Sequence, residues 1–204
     1  MSERGVVHVV DDDASFRTAL RRVLMAAGFE VHAFASGTEL LARASPEECG
    51  CVLADLQLPE LNGLELQQEL FRAGIALPFV FLTGHGDVPS AVCAMRQGAV
   101  DFLDKCAPQE TVIAAIERAL QRDATERAAR ARQQRLSRRF ATLTAREWQV
   151  LRHVVNGRMN KQISAELGIH ERTVKLHRTA ITSKLGVRSV AELTTLAREA
   201  GVLG

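Results

Sequence analysis

The run Val6-Val-His-Val-Val10, followed at once by Asp11 and Asp12, is the clearest indication of the fold. It is short and almost entirely apolar, which is typical of a parallel strand buried on both faces of a sheet. Four further short apolar runs follow: Glu30–Phe34, Cys51–Ala54, Phe79–Leu82 and Val100–Leu103. Helical patterns separate and follow them: Ala14–Ala27, Thr38–Ala44, Leu64–Arg72, Pro89–Gln97 and Gln109–Gln121. This alternation predicts an α/β domain with a parallel sheet covered by helices on both faces.

Charge divides the chain into two unlike parts. Residues 1–122 hold 10 Lys/Arg and 17 Asp/Glu, a net charge of −7, and residues 123–204 hold 16 and 7, a net charge of +9. The two sum to the +2 of the whole chain of 204 residues. This asymmetry indicates two domains with different partners, and the basic part suggests nucleic acid. The positive charge of residues 123–204 alone is explained equally well by a basic surface that is only exposed to solvent.

We expect a cytoplasmic protein without a membrane segment. No apolar run approaches the ~18 residues that a membrane helix needs. The charged Asp11 comes too early for a signal peptide. The cysteines form no CxxC pair and are interpreted as small hydrophobic residues kept reduced in the cytosol; they are Cys49, Cys51, Cys93 and Cys106.

Residues 122–140 differ in composition from both sides of the chain and separate a domain at 1–121 from one at 141–204. They contain no Gly or Pro and are rich in Ala, Arg and Gln, which are strong helix formers. We predict a helical linker that continues the fifth helix. A dimerising coiled coil stays open as an alternative, although Ala128, Ala131 and Leu136 make only a weak heptad seam.

Residues 141–204 have the pattern of an all-α domain. Thr144-Ala-Arg-Glu147 and Ser189-Val-Ala-Glu192 are capping boxes, each of which starts a helix. Between them, Asn160–Leu167 and Arg172–Leu185 read as two helices joined by a turn at Gly168. This predicts a helix-turn-helix unit.

Polar side chains collect where the predicted strands end. Asp11 and Asp12 follow strand one, Asp55 ends strand three, Thr83 ends strand four and Lys105 follows strand five. The carboxyl edge of a parallel sheet is where ligands bind. Clustered carboxylates repel one another unless a hard cation such as Mg²⁺ (or Mn²⁺) lies between them. A carboxylate there can attack a phosphoryl group, and a lysine and a hydroxyl can follow the new charge.

These motifs resemble the receiver domain of two-component response regulators. The resemblance rests on Val10-Asp11-Asp12, Asp55 with Leu58-Pro59 and Gly63, Thr83-Gly84 and Lys105, and it spans residues 1–121. It implies a flavodoxin-like fold with strand order 2-1-3-4-5. The run Thr83-Gly-His-Gly-Asp87 is similar to the FixJ branch.

The resemblance also assigns roles to individual residues. It implies that Asp55 accepts the phosphoryl group, with Thr83 and Lys105 assisting. It implies that Asp12, Asp55 and the backbone carbonyl of Gln57 ligate Mg²⁺, with Asp11 in support. Phe102 matches the aromatic switch position.

One position departs from the family pattern. The family usually has proline after the lysine, in a cis bond, whereas Cys106 follows Lys105 here. A cis bond without proline costs about 3–4 kcal/mol. The loop is therefore expected to be either trans or strained.

Residues 141–204 resemble the LuxR-type output domain of NarL/FixJ regulators. The matching runs are Leu143-Thr-Ala-Arg-Glu147, Asn160-Lys-Gln-Ile163, Leu167-Gly-Ile169, Thr173-Val-Lys-Leu-His177 and Lys184-Leu185. The resemblance places the helix Arg172–Leu185 in the major groove. It implies that Lys175, Leu176 and Thr179 face base edges. Lys184 adds positive charge to the same helix, and the residues expected at phosphates are Lys161, Thr173, Arg178 and Arg188.

The leading interpretation is a phosphorylation-controlled transcription regulator. A sensor histidine kinase would supply the phosphoryl group, and a phosphorylated homodimer would bind double-stranded promoter DNA. The protein would not be an enzyme beyond slow loss of its own phosphoryl group. The alternative is a DNA-binding regulator that is constitutive or controlled by the Cys106 thiol. A metal-dependent phosphatase shares the acid cluster, but the chain lacks a substrate-capping insertion.

Overall fold

The computed structural model describes residues 5–84 and 88–202. The chain divides into two compact units, residues 1–127 and 128–204. Across the described ranges, we find no helix with the length and apolarity needed to cross a bilayer.

The first unit is built on a parallel sheet with strand order β2-β1-β3-β4-β5. Its strands are β1 (Val6–Val10), β2 (Glu30–Phe34), β3 (Cys51–Asp55), β4 (Phe79–Thr83) and β5 (Asp101–Asp104). Its helices are α1 (Ala14–Ala26), α2 (Gly37–Arg43), α3 (Gly63–Arg72), α4 (Val88–Arg96) and the first part of α5 (Gln109–Phe140), which continues into the second unit. The predicted α/β fold and the strand order are confirmed.

Apolar side chains form a separate core on each face of this sheet. One core contains Phe34, Ala54 and Phe81. The other contains Val9, Leu53 and the α5 residue Ile116. Every residue of β3 and β4 is buried, which explains why these central strands read as continuous apolar runs.

The edge strand β5 lies one residue later than its apolar run predicts. Asp101 pairs with Val80, and Asp104 pairs with Thr83 at the far end. Three of its four residues are only half-buried and Asp104 is exposed. Because β5 is a partly exposed edge strand with an aspartate at each end, the apolar run in the sequence does not locate its first and last residues.

The helix α5 runs from Gln109 through the whole predicted linker to Phe140. Ala128 and Ala131 are exposed along it, whereas Leu136 is only 6% exposed. Phe140 is part of the core of the second unit. The one large apolar residue of the weak heptad seam is therefore already buried, which disfavours a coiled coil through it.

The second unit is helical, with α6 (Ala145–Val155), α7 (Asn160–Leu167), α8 (Glu171–Leu185) and α9 (Val190–Glu199). Its core includes Val150, Ile163, Ile181 and Leu193, one from each helix. The Thr144–Glu147 capping box is present, and Ser189 caps α9. The turn between α7 and α8 passes through Gly168, whose φ of 64° suits glycine.

Candidate functional sites

Three carboxylates meet at the carboxyl edge of the sheet. One oxygen each of Asp11, Asp12 and Asp55 lies within 4.8 Å of the others. Val10 of β1 pairs with Ala54 of β3. Asp11 directly follows Val10 and Asp55 directly follows Ala54, so this pairing brings the two aspartates side by side. Asp11 and Asp55 are 2% and 7% exposed, whereas Asp12 is exposed.

Lys105 joins the two buried carboxylates. Its Nζ lies 2.7 Å from Oδ2 of Asp11 and 2.7 Å from Oδ2 of Asp55. Burial lowers the pKa of the Lys105 ammonium, but the hydrogen bonds to both carboxylates outweigh burial and leave the pKa raised. The ammonium also lies 4.6 Å from the centre of the Phe16 ring. Lys105 is therefore a fixed cation at the centre of the cluster.

Backbone N–H groups hold the other oxygens of the same carboxylates. Asp13 donates its N–H to Oδ1 of Asp11 at 3.0 Å, and Gln57 donates to Oδ1 of Asp55 at 3.0 Å. Burial raises the pKa of the Asp11 carboxyl, although Lys105 lowers it. Each buried carboxylate is thus oriented by its own loop on one side and by Lys105 on the other.

The donor set fits a hard divalent cation. It offers only carboxylate oxygens, the ligands that Mg²⁺ prefers. A shallow cleft of about 610 Å³, lined by Asp12 and Gln57 among others, adjoins the cluster. An ion and a small phosphoryl donor therefore have a route from solvent.

The loop after β5 takes the trans form. None of the described peptide bonds is cis, and the bond between Lys105 and Cys106 is among them. The N–H of Lys105 donates to the Thr83 carbonyl at 2.9 Å, and the N–H of Cys106 donates to Oδ1 of Asp104 at 2.6 Å. Lys105 thus reaches the carboxylates without the proline that the family usually has.

Gly63 is required by the backbone beside Asp55. A Cβ there would lie 2.5 Å from the Asp55 carbonyl oxygen and 2.9 Å from a ring carbon of Phe81. Asn62 and Glu65 form a capping box that starts α3 at this point. The sequence analysis used Gly63 only as a motif position and missed the capping box. Asn62 followed three residues later by Glu65 is a pattern that could have indicated it.

Thr83 and Phe102 lie on neighbouring strands. Thr83 ends β4 and is 2% exposed. Phe102 pairs with Phe81 in the β4–β5 register, and their ring centres are 6.4 Å apart. Residues 85–87 of the FixJ-like motif lie outside the described residues.

The helix α8 has an apolar inner face and a polar outer face. Val174, Ile181 and Leu185 are buried. On the outer face Lys175, Leu176 and Thr179 are exposed, and they are neighbours on the helix surface. Leu176 is 64% exposed, unusual for a leucine in a packed domain. These are the residues predicted to face base edges.

The other predicted DNA contacts lie in different surroundings. Lys161 and Arg188 are exposed, and Thr173 is half-buried. Arg178 is half-buried and donates to Oδ1 of Asn160 at 2.8 Å, which links α8 to α7. Its guanidinium therefore has an intramolecular role as well.

Lys184 forms hydrogen bonds to other residues of the helical unit. Its Nζ lies 2.7 Å from Oε2 of Glu147 and 3.2 Å from the Thr142 carbonyl. The hydrogen bond from Lys184 is the largest cause that lowers the pKa of the Glu147 carboxyl. This geometry gives Lys184 a structural role within the unit, and its contact with DNA stays a prediction.

Sequence reasoning missed two residues that hold the helical unit together. Glu147 was read only as half of a capping box, yet it also binds Lys184 across to α8. Arg146 donates to the Leu167 carbonyl at the end of α7, at 2.7 Å. Sequence spacing gives no signal for either contact, because both join helices distant in the chain.

Comparison with known families identifies both units. Residues 7–117 match the response regulator receiver domain. Residues 141–197 match the bacterial regulatory proteins of the luxR family.

Several known proteins are similar to nearly the whole length of this chain. Nodulation protein W of Bradyrhizobium diazoefficiens is 41% identical over 98% of this chain and 88% of its own. Transcriptional regulatory protein FixJ of Azorhizobium caulinodans is 39% identical over 99% of this chain and 96% of its own. The solved structure of response regulator StyR has a TM-score of 0.89 at 46% identity and covers 96% of this chain and 98% of that chain.

Proposed function

The chain belongs to the two-component response regulators that pair a receiver domain with a luxR-family DNA-binding domain, and we propose that it is switched by phosphorylation of Asp55. The observation that carries this proposal is that Asp55 lies 2.7 Å from Nζ of Lys105 and within 4.8 Å of the other two carboxylates. A sensor histidine kinase would donate the phosphoryl group. The protein acts on no outside substrate and loses the group slowly by its own hydrolysis.

Each side chain of the cluster has a defined task in this transfer. An Oδ atom of Asp55 attacks phosphorus, and the donor leaves from the opposite side. Lys105 follows the negative charge that moves onto the phosphoryl oxygens. Asp12, Asp55 and the Gln57 carbonyl would hold Mg²⁺ (or Mn²⁺), with Asp11 in support. When bound, the ion neutralises phosphoryl oxygens.

The transfer changes the charge balance at Lys105. In the unmodified protein its ammonium is shared between Asp11 and Asp55, each at 2.7 Å. The phosphoryl group carries roughly −2 charge in place of the single negative charge of the Asp55 carboxylate. Thr83 and Phe102, on the adjoining strands, would then move inward together as the switch.

The switch lies next to a surface suited to self-association. Val88, Val92 and Met95 on α4 are 76%, 47% and 48% exposed. Exposed apolar side chains that recur along one helix often mark a protein interface. The phosphorylated protein would form a homodimer, and a two-fold dimer matches two half-sites on DNA.

The DNA-binding domain reads double-stranded promoter DNA through α8. Lys175, Leu176 and Thr179 would contact base edges, and Leu176 offers an apolar surface to a thymine methyl group. Phosphate contacts would come from Lys161, Thr173, Arg178 and Arg188. We place the domain limits at 1–121 and 141–204, with a linker at 122–140, and the protein in the cytoplasm.

Phosphorylation with acetyl phosphate and Mg²⁺ tests the assignment of Asp55. Intact mass should show one added phosphoryl group on the wild type and none on Asp55→Asn. Asp101→Asn is the matched control, because Asp101 lies on the same sheet, pairs with Arg118 and is not in the carboxylate cluster. Equal labelling of Asp55→Asn and wild type would refute the assignment.

A further inference from the structure

We propose that the first unit has a second metal site, in which His8, His32 and Glu48 bind one Zn²⁺ ion. One ring nitrogen from each histidine and one carboxylate oxygen of Glu48 lie within 4.8 Å of one another. The group lies beside β1 and β2, and it shares no residue with the carboxylate cluster around Asp55.

The sheet register brings the two histidines together. His8 pairs with His32 across the parallel strands β1 and β2, so both side chains leave the sheet on the same face. Their ring centres are 5.4 Å apart, with an angle of 75° between the ring planes. The loop before β3 adds Glu48, whose Oε1 lies 3.7 Å from Nε2 of His8.

His8 has a buried nitrogen that lacks a hydrogen bond. The residue is 2% exposed, and its Nε2 lies 3.2 Å from the Cys49 carbonyl oxygen. A carbonyl only accepts hydrogen bonds, so Nε2 carries the proton in that contact. Burial lowers the pKa of the ring, which favours its neutral form. Nδ1 then holds a lone pair that meets no donor among the described residues.

This is how a protein prepares a metal-binding histidine. Such a histidine usually donates its second ring N–H to a carbonyl or a carboxylate, which fixes the ring and its tautomer. Cys49 does this for His8. His32 has a corresponding partner, since its Nε2 lies 2.9 Å from Oε1 of Glu30. Both imidazoles are therefore oriented by groups outside the proposed ligand set.

The site is open to solvent and can contract around an ion. A cleft of about 420 Å³ is lined by all three proposed ligands. Ligands of tetrahedral zinc at 2.0–2.1 Å from the metal lie about 3.4 Å apart. The three ligand atoms must therefore draw together, and the Glu48 carboxylate, which lies 3.7 Å from Nε2 of His8, must turn toward Nδ1. His32 and Glu48 have side chains that are 44% and 26% exposed, so both have room to move.

The donor types select zinc rather than magnesium. Two imidazole nitrogens and one carboxylate oxygen suit a borderline divalent ion such as Zn²⁺. Mg²⁺ prefers a set made only of oxygens, as in the carboxylate cluster. The two sites can therefore be loaded separately, and the zinc proposal does not depend on the phosphorylation of Asp55.

Zinc titration of the metal-free full-length protein in saturating Mg²⁺ tests the proposal, with a chromophoric chelator as competitor. We expect one Zn²⁺ ion per chain. His32→Ala should weaken binding by about tenfold or more, and Glu48→Gln should also weaken it. Both side chains are partly exposed, so the fold should survive, and circular dichroism would check this.

Two further variants show whether the ion binds at this site or elsewhere on the chain. Asp55→Asn should bind Zn²⁺ like the wild type. His153→Ala should do so too, because His153 lies 3.5 Å from Glu166 and is a histidine beside a carboxylate in the second unit. The proposal is wrong if wild-type protein binds no Zn²⁺ in Mg²⁺, if His32→Ala and Glu48→Gln bind normally, or if Asp55→Asn loses the ion.

Discussion

Replacing Lys184 with methionine should destabilise the helical unit, although the sequence alone places this lysine among the DNA contacts. Methionine keeps most of the side-chain stem but removes the ammonium that lies 2.7 Å from Glu147. Glu147 is only 7% exposed, so its carboxylate loses a charged partner in a place that water reaches poorly. It keeps the hydrogen bond from the Thr144 N–H, at 2.7 Å.

The size of the effect follows from these contacts. Breaking a fully buried ion pair costs about 3–5 kcal/mol, and an exposed pair contributes about 0–1 kcal/mol. Lys184 is 36% exposed, and Glu147 keeps one of its bonds, so the pair lies between these cases. We expect Lys184→Met to lower the free energy of unfolding by roughly 1–2 kcal/mol.

The pH dependence identifies the cause. Lys184 holds the pKa of Glu147 below its ordinary value of 4.5 in the folded protein. The pair therefore stabilises the fold fully above that ordinary value, and its contribution is lost as pH falls through the folded-state pKa. The difference between the variant and the wild type should be full at neutral pH and should shrink below about pH 4.5.

Urea unfolding followed by Trp148 fluorescence measures this directly. Trp148 is the single tryptophan of the chain, and it packs on Phe140 with ring centres 5.7 Å apart. Lys161→Met is the matched control, because Lys161 is an exposed lysine of the same unit. If both variants unfold like the wild type at neutral pH, the ion pair contributes nothing and the structural role is refuted.

Three other outcomes follow from the same contacts. Lys175→Ala should reduce the preference for specific over random DNA by about 1–3 kcal/mol, whereas Arg178→Ala should weaken binding to both and lower the salt slope by about one, as a salt series would show. Gly63→Ala should cost about 1–3 kcal/mol or more of receiver stability by circular dichroism, since its Cβ would meet backbone at 2.5 Å; unchanged stability would show that the loop yields easily. Cys106→Ser should leave the response of DNA binding to peroxide the same as in the parent protein, and peroxide sensitivity lost only in the variant would favour thiol control.

The clustering of the carboxylates and Lys105 could be predicted from the sequence because strand ends in a parallel sheet meet at one edge. Asp11, Asp55 and Lys105 are far apart in the chain, but each lies at the end of an apolar run or within two residues after it. Order along the chain was therefore enough to bring them together. The trans bond after Lys105 was not decided by sequence, because the residue type allowed either a trans loop or a strained one.

Contacts that depend on packing could not be read in this way. The pairs Lys184–Glu147 and Arg178–Asn160 join residues on different helices, and no period along the sequence relates them. The cross-strand pair of His8 and His32 depends on the register of β1 against β2. An apolar run locates a strand, but a shift of one residue in register would send one ring to the opposite face.

Control of DNA binding by phosphorylation of Asp55 can be tested in a single binding experiment. Double-stranded DNA enriched from a random pool by the phosphorylated protein is titrated with wild type and with Asp55→Asn, each with and without acetyl phosphate and Mg²⁺. Phosphodonor should tighten binding by the wild type and leave Asp55→Asn unchanged at the weaker affinity. Equal affinity of wild type in both states, with phosphorylation verified by intact mass, would contradict the account and favour a regulator that works without phosphate.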